Sequence, residues 1–415
     1  MKKFLILTVT AGNGHNSCAK SMKNKLESLD PTAEVKIVDL LKTYSTKTRT
    51  WIADKGYNIA VSKLCAVYDY FYEQCKRKSP FKRYSCSAMA VAKTTVDKLL
   101  KEIVEYQPDV IFCTHFYAGA AVTAIKQVID LPCKSVITSL DYVNSPFWEA
   151  CVGVDYFNVP NEDFVQENLD EGFKPQQMLA FGLPVDERTM VETEKSKARA
   201  ELGIDQNLFT ITVMFGGGFW SGGLKIFKNL VKVLGDRKAQ IIMINGRSKK
   251  GYDKIAKMTF KDNLKVVNVG FTDKVPLYMS ASDVMLNKCG GLCATEVINQ
   301  GLPMLVTEKI PAQEKYNLKY LQEKGGAYSF KNKKQLAENL FKVMDDEQHR
   351  QNMSKNLKAL RANGISKLAA FMLDLPNADY SKLNVKEIDF DNFKKSVNKA
   401  LKKADKAERK KAKQA

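Results

Sequence analysis
Short apolar runs alternate along the chain with longer stretches whose apolar residues recur at three- and four-residue spacing. The runs read as strands buried on both faces, and the longer stretches as amphipathic helices packed over them. In the first half, strands are expected at 3–10, 34–40, 110–114, 135–140 and 156–160, with helices at 17–29, 96–106 and 117–129. Leu183-Pro184-Val185-Asp186 reads as a hinge. The alternation then restarts, with strands at 209–215, 240–244, 264–268, 283–286 and 302–307. Helices are expected at 224–234, 275–280, 334–345 and 348–362, and one from Gly290-Gly291 to Gly301. Residues 371–376 fade into a polar linker, and a Lys/Ala-rich helix runs from 391. Strand–helix alternation in two halves predicts an α/β protein of two βαβ domains, 1–185 and 186–375, with a linker and basic tail over 376–415.

The most informative stretch is LNKCGGLCATEVINQGLPMLVTEKIPAQEKYN, 286–317. A strand, a glycine pair and a helix N-terminus make a site that favours negative charge, through free N–H groups and the helix dipole. Glu296, early in that helix, suits a pair of ribose hydroxyls better than a phosphate it would repel. Gln313, Glu314 and Asn317 follow the next strand and so fall on the same rim of a parallel sheet. Phosphate, ribose and hexose together suggest a nucleotide sugar; an ordinary βαβ unit with a tight glycine turn is the plain alternative. Gly216-Gly217-Gly218, at another strand's carboxyl end, suits close approach of a phosphate or a flexible turn.

Composition narrows this picture. A 415-residue chain that is 45% hydrophobic and 27% charged is expected to be globular. No apolar run reaches the roughly 18–20 residues a bilayer crossing needs, so a cytosolic location is expected. Nine irregularly spaced cysteines fit a reducing compartment. Cys289 and Cys293 read as packing residues, and no zinc site is expected. The net charge is +19, of which the stretch from Lys394 contributes +8 through ten Lys/Arg and two Asp/Glu. Such charge suits nucleic acid, anionic lipid or a phosphorylated substrate.

In the first half, Ala11-Gly12-Asn13-Gly14-His15 places an imidazole at the start of a helix, where the dipole lowers its pKa. A neutral imidazole there is a candidate general base, or else a solvated helix-start histidine. The loop lacks the third glycine of a dinucleotide fingerprint and the Gly-Lys-Ser/Thr of a P-loop. His115 and Asp141 stand at the carboxyl ends of later strands, where open sheets gather ligands. Between them in character is 43–93, with Trp51, Tyr57, Tyr68, Tyr70, Phe71, Tyr72, Phe81 and Tyr84 interleaved with Lys76-Arg77-Lys78 and Lys82-Arg83. This pattern fits a segment on an anionic membrane surface, a single-stranded nucleic-acid binder, or a helical hairpin with about half its rings packed inward.

GNGHNSCAKSM resembles the GGGH or GNGH loop of monogalactosyldiacylglycerol synthases and processive diacylglycerol glucosyltransferases. Pro108-Asp109 with Thr114-His115 resembles that family's PD…TH strand. GFTDKVPLYMSASDVMLNKCGGLCATEVINQGLPMLV and IPAQEKYNLKYLQEKGGA resemble its donor site, whose usual text is KPGG…TEA and PGQE…N. The likeness covers about 1–330 and extends more distantly to the peptidoglycan lipid-intermediate N-acetylglucosaminyltransferase. Cys289 replaces the usual proline, Ala312 replaces the glycine before Gln-Glu, and Asp141-Tyr142-Val143-Asn144 lacks the family's following histidine.

The resemblance implies a GT-B architecture, two Rossmann-like domains facing across a cleft. It implies an inverting transfer of hexose from UDP-glucose or UDP-galactose to diacylglycerol, on the cytoplasmic face of a membrane. Gly290, Gly291, Thr295, Glu296, Gln313, Glu314 and Asn317 would hold the UDP-sugar, with Glu296 on the ribose and Gln313 and Glu314 on the sugar. Phe271 would offer its backbone to uracil, and Gly216–Gly218 and Arg247 would face the diphosphate. His15 or Asp141 would deprotonate the acceptor, with Gly14, His115 and Trp51 on the acceptor side. No metal or other cofactor is expected, since no Asp-x-Asp motif of the kind that holds a metal-bound nucleotide sugar is seen, and no nucleic acid is expected as partner. An undecaprenyl-linked or other lipid acceptor is the first rival; a nucleotide-sugar- or nucleic-acid-binding protein without turnover is the second.

Overall fold
The computed structural model describes residues 1–10, 14–44, 65–76, 87–215, 222–390 and 392–412. Two compact units divide the chain. One holds the described residues up to Tyr44, then Ala66–Asp186, and regains the chain at Asn363–Ala415; the other holds Cys65 and Glu187–Ala362.

The first unit is a six-stranded sheet of β1 (Lys3–Thr8), β2 (Glu34–Asp39), β3 (Val110–Cys113), β4 (Lys134–Thr138), β5 (Tyr156–Asn158) and β6 (Met178–Leu179), in the order β2-β1-β3-β4-β5-β6. The second has β7 (Thr210–Met214), β8 (Ala239–Ile244), β9 (Leu264–Val269), β10 (Val284–Asn287), β11 (Met304–Thr307) and β12 (Ala327–Phe330), in the order β12-β11-β10-β7-β8-β9. Every pairing is parallel. Helices cover both faces, so the central strands β3, β8, β10 and β11 are buried along their whole length, while the edge strand β2 is only intermittently so. The expected GT-B-like pair of βα-alternating domains is the observed fold.

Strand order reverses between β1 and β3 and again between β7 and β10, so each sheet has a crevice at the carboxyl ends of that pair. The same device closes the opposite end of both pairs. Before β3, the Asp109 carboxylate accepts the Lys3 N–H at 2.8 Å; before β10, that of Asp283 accepts the Thr210 N–H at 2.8 Å. Asp283 also receives Arg199 Nη2 at 2.8 Å and Lys195 Nζ at 2.5 Å. Asp109, which the sequence marked only as part of a motif, is thus a register clamp.

The domain boundaries differ from expectation at the C-terminal side. Residues 363–375, expected in the second domain, and 376–415, expected as a linker and tail, both belong to the first unit. The Gly364–Asp374 helix packs on the Gly14–Leu29 helix. Gly364 lies so close to the backbone that an added Cβ would stand 2.4 Å from the Gly182 carbonyl oxygen. Asp109 Oδ1 accepts the Ala378 N–H at 2.8 Å, and Tyr380 donates to the Pro108 carbonyl at 2.9 Å. The Phe393–Ala412 helix buries Phe393, Val397 and Leu401 in the same core as Leu99, Leu100 and Ile103. These partners are distant in sequence, so no local pattern announces them.

Of the aromatic stretch 43–93, the described part forms the Cys65–Lys76 helix and the start of the Ser87–Tyr106 helix. Tyr72 is buried and packs edge-on to Phe147, whereas Tyr70 is 61% exposed. Trp51, Tyr57, Phe81 and Tyr84 lie outside the described residues. No helix among the described residues is long and apolar enough to cross a membrane.

Candidate functional site
At the first switch point the chain leaves β1, and the Gly14–Leu29 helix begins with Gly14 and His15. Gly12 and Asn13 lie outside the described residues. His15 reaches across to the end of β3, where its Nδ1 is 2.5 Å from the Thr114 carbonyl oxygen. A carbonyl can only accept, so Nδ1 carries the proton and Nε2 keeps a lone pair. His115 caps the Phe116–Lys126 helix, its Nδ1 accepting the Tyr117 N–H at 3.0 Å, and so takes the opposite tautomer. The two rings touch, centroids 4.5 Å apart at 64°. Burial holds His15 down to about 4, with the Thr114 carbonyl opposing it. Burial lowers His115 further below its ordinary value, and the neighbouring His15 adds to this. Two uncharged imidazoles therefore stand at the crevice at neutral pH.

A polar chain holds this edge in place. Thr114 Oγ1 donates to Thr8, Thr8 to Asn16 Oδ1 at 3.1 Å, and Asn16 to Thr10 at 3.0 Å; Thr10 in turn donates through N–H and hydroxyl to Asp39. Asp39 also caps the Leu40–Tyr44 helix through the Leu41 and Lys42 N–H groups. Asp141 follows β4, one strand beyond β3 and roughly 10 Å from the β1 line. Its backbone is turned by Ser139, whose Oγ donates to the Asp141 carbonyl at 3.0 Å. The structure therefore joins His15 to His115 and sets Asp141 farther along the same edge. Trp51 lies outside the described residues.

At the second switch point, β10 runs into Lys288-Cys289-Gly290 and the Gly291–Gln300 helix, which Gly301 ends in the left-handed conformation. Its N-cap, Gly290, has no side chain with which to close the helix start. Gly290 has φ −68° and ψ 146°, open to any residue, and an added Cβ would meet nothing nearer than Glu314 Oε1 at 3.9 Å. Neither backbone strain nor packing against the described residues requires glycine there; close approach of something else would. Thr295 bonds back to the Gly291 carbonyl at 2.9 Å and braces the first turn. Glu296 is half-buried on the next turn.

The Ala312–Glu323 helix after β11 supplies the facing wall. Glu314 is 6% exposed; Lys288 Nζ lies 2.5 Å from its Oε1, while its buried Oε2 has no hydrogen-bond partner among the described residues. Gln313 is half-buried beside it. Asn317, expected among the residues that hold the UDP-sugar, is fully buried and donates to the Cys289 carbonyl at 2.9 Å. It fixes the glycine loop from behind. Lys288 is the residue that sequence reasoning left out of the site, although it is the lysine of the KPGG-like text. Cys289 is buried, and Cys293 accepts Asn287 Nδ2 at 2.8 Å; burial first, then Glu296, raises the Cys293 thiol well above its ordinary value. Both are packing residues, as expected.

Farther along this edge, Arg247 after β8 is exposed and lies 5.3 Å over the ring of Phe271, itself 69% exposed after β9. Gly216, Gly217 and Gly218, after β7, lie outside the described residues. A cation, a buried carboxylate with one open oxygen, an uncapped helix start and a stacked arginine thus surround the β7/β10 crevice on its described side.

Residues 15–185 match the family model for monogalactosyldiacylglycerol (MGDG) synthase, and 212–369 match that for the glycosyltransferase family 28 C-terminal domain. A processive diacylglycerol β-glucosyltransferase of Bacillus pumilus (strain SAFR-032) is 23% identical over 365 residues, 86% of this chain and 91% of its own. A probable chloroplastic monogalactosyldiacylglycerol synthase of Nicotiana tabacum is 26% identical over 348 residues, 81% of this chain and 63% of its own. Among solved structures, MurG of Acinetobacter baumannii superposes with a TM-score of 0.59 at 13% identity, covering 90% of this chain and 99% of MurG, which speaks to fold alone. With both domain matches in order along one chain, and relatives of one kind aligned over most of it, the chain is similar over most of its length to monogalactosyldiacylglycerol synthases and processive diacylglycerol glucosyltransferases.

Proposed function
We propose that the protein moves a hexose from UDP-glucose or UDP-galactose to the free hydroxyl of diacylglycerol, with inversion, at the cytoplasmic surface of an anionic membrane. The observation that carries this reading is Gly290: a glycine that its own backbone does not need, at an uncapped helix start, beside a buried carboxylate with an open oxygen. The relatives' names supply the acceptor and the sugar class.

In this reading the diphosphate rests against the Gly290-Gly291 helix start, with Arg247 near it. Glu296 accepts from the ribose, and Gln313 and the open oxygen of Glu314 from the sugar. Phe271 marks the uracil end. Lys288 aims the Glu314 carboxylate, and Asn317 and Thr295 hold the loop.

On the acceptor side, His15 Nε2 takes the hydroxyl proton as the oxygen bonds to the anomeric carbon from the face opposite UDP. Its weak basicity fits a transfer late along the reaction, once the forming C–O bond has acidified the hydroxyl. His115 holds its neighbour's orientation, and Asp141 is the less direct alternative base. The helix dipole, Arg247 and Lys288 supply positive charge for the leaving diphosphate, so the reaction is proposed to run without a metal.

The test is hexose transfer from each labelled UDP-sugar to diacylglycerol in detergent micelles, with products separated by thin-layer chromatography. A glycosylated diacylglycerol is expected. Transfer only to a polyprenyl-linked acceptor, or none at all beside tight UDP binding, would overturn the reading.

A further inference from the structure
The Phe393–Ala412 helix carries a face that the chemistry above leaves unused. Phe393, Val397 and Leu401 hold it to the first unit's core. Lys395, Lys399, Lys402 and Lys406 recur at spacings of four, three and four, all exposed. At 3.6 residues per turn this stripe stands about 170° from the apolar one. Lys395 bonds to Asn392 Oδ1 at 2.8 Å. Lys399, Lys402 and Lys406 have no ion pair or hydrogen bond with any described residue. Asp405 and Glu408 fall at none of these four positions. Four ammonium groups in a row repel one another, and nothing described offsets that repulsion.

We propose that this outer face is an electrostatic docking surface for the anionic headgroups of a bilayer. The proposal rests on the reading above for its lipid acceptor, which obliges the enzyme to meet a membrane. The chemistry favours headgroups over nucleic acid. The four lysines offer point charges for phosphates, and no aromatic ring stands among them as a stacking platform for bases. The mode of binding follows too. The helix's apolar stripe is already used inside the protein, so it cannot lie in the interface as an amphipathic anchor does. Its attraction is therefore purely ionic, dependent on anionic lipid and weakened by salt.

The experiment compares the full chain with a Lys395→Gln/Lys399→Gln/Lys402→Gln/Lys406→Gln variant by co-sedimentation with phosphatidylcholine vesicles, with and without phosphatidylglycerol. The unchanged protein should bind the phosphatidylglycerol vesicles and release on raising salt. At about fivefold per lysine near an anionic surface, the variant should lose at least about tenfold in binding. A matching set of Lys→Arg changes should keep it. Hexose transfer to diacylglycerol in neutral detergent micelles should be the same for all three, which shows that the fold survives. Equal vesicle binding by the glutamine variant would overturn the proposal. So would loss confined to single-stranded RNA binding, with vesicle binding unchanged. Absence of transfer in micelles would sink the reaction assignment, whereas the docking surface stands or falls on the vesicle arm.

Discussion
At the β1/β3 edge two imidazoles touch and stay uncharged; at the β7/β10 edge a lysine meets a buried carboxylate beside a helix start. Both edges lie at the point where a parallel sheet reverses its order, and both strand pairs are pinned at their far end by an aspartate, Asp109 or Asp283. The scaffold is one plan used twice, and the difference lies in what the loops carry. A group that must accept a proton needs a lone pair, which burial and the Thr114 carbonyl provide for His15. A site for a dianionic leaving group needs positive potential and room, which an uncapped helix and Gly290 provide.

The sharpest way to break this contrast is His15→Ala. Turnover should fall about a thousandfold, as for loss of a general base, while UDP binding measured by calorimetry is kept. Near-normal turnover would leave the first edge without its chemistry. Next in size is the clamp comparison. Asp283→Ala strands the buried Arg199 guanidinium and should cost about 3 kcal/mol in denaturant unfolding, whereas Asp109→Ala frees only N–H groups and should cost less. Equal losses would mean that the two clamps do not differ as drawn. Glu296→Ala should weaken UDP-sugar binding by about 1–3 kcal/mol, and Gly290→Ala should weaken it with little change in melting temperature. If Gly290→Ala bound normally, the space above that residue would have no role.

The smallest effect is in pH. The unfolded chain takes up protons on both imidazoles as pH falls through about 6.5, while the folded chain keeps His15 neutral to about 4. Stability is therefore full above 6.5 and declines as pH falls toward 4. His115 acts in the same direction. A His15→Gln variant should show a shallower decline in melting temperature over that window, and an unchanged slope would count against a neutral, buried imidazole.

Much of this plan was legible in the residues. Continuous apolar runs gave the central strands because their neighbours lie on both faces, and the glycine turns marked both edges. The Gly364–Asp374 helix is not announced by the sequence, where 371–376 reads as the start of a linker, since what orders it is far away: Lys2 Nζ on the Leu373 carbonyl at 2.7 Å, and the Gly182 backbone. The Lys195–Leu202, Lys249–Ala256 and Ala312–Glu323 helices were passed over for a different reason. They are short or largely polar, and tertiary packing rather than apolar periodicity sustains them. That the Asn317 amide faces the Cys289 carbonyl is not legible in the sequence, because residue type does not show what an amide faces.

One carboxylate, that of Asp109, bonds at once to the backbone of Lys3 and of Ala378. During synthesis, residues 187–362 emerge as an uninterrupted stretch and can close their sheet before the N-terminal unit is complete. That unit must wait, half-built on the ribosome, for residues 363–415, which arrive roughly 9–46 s after residue 186 at ordinary translation speeds. The usual first-come order of vectorial folding is inverted here, and the nascent N-terminal sheet is the part that chaperones have longest to guard.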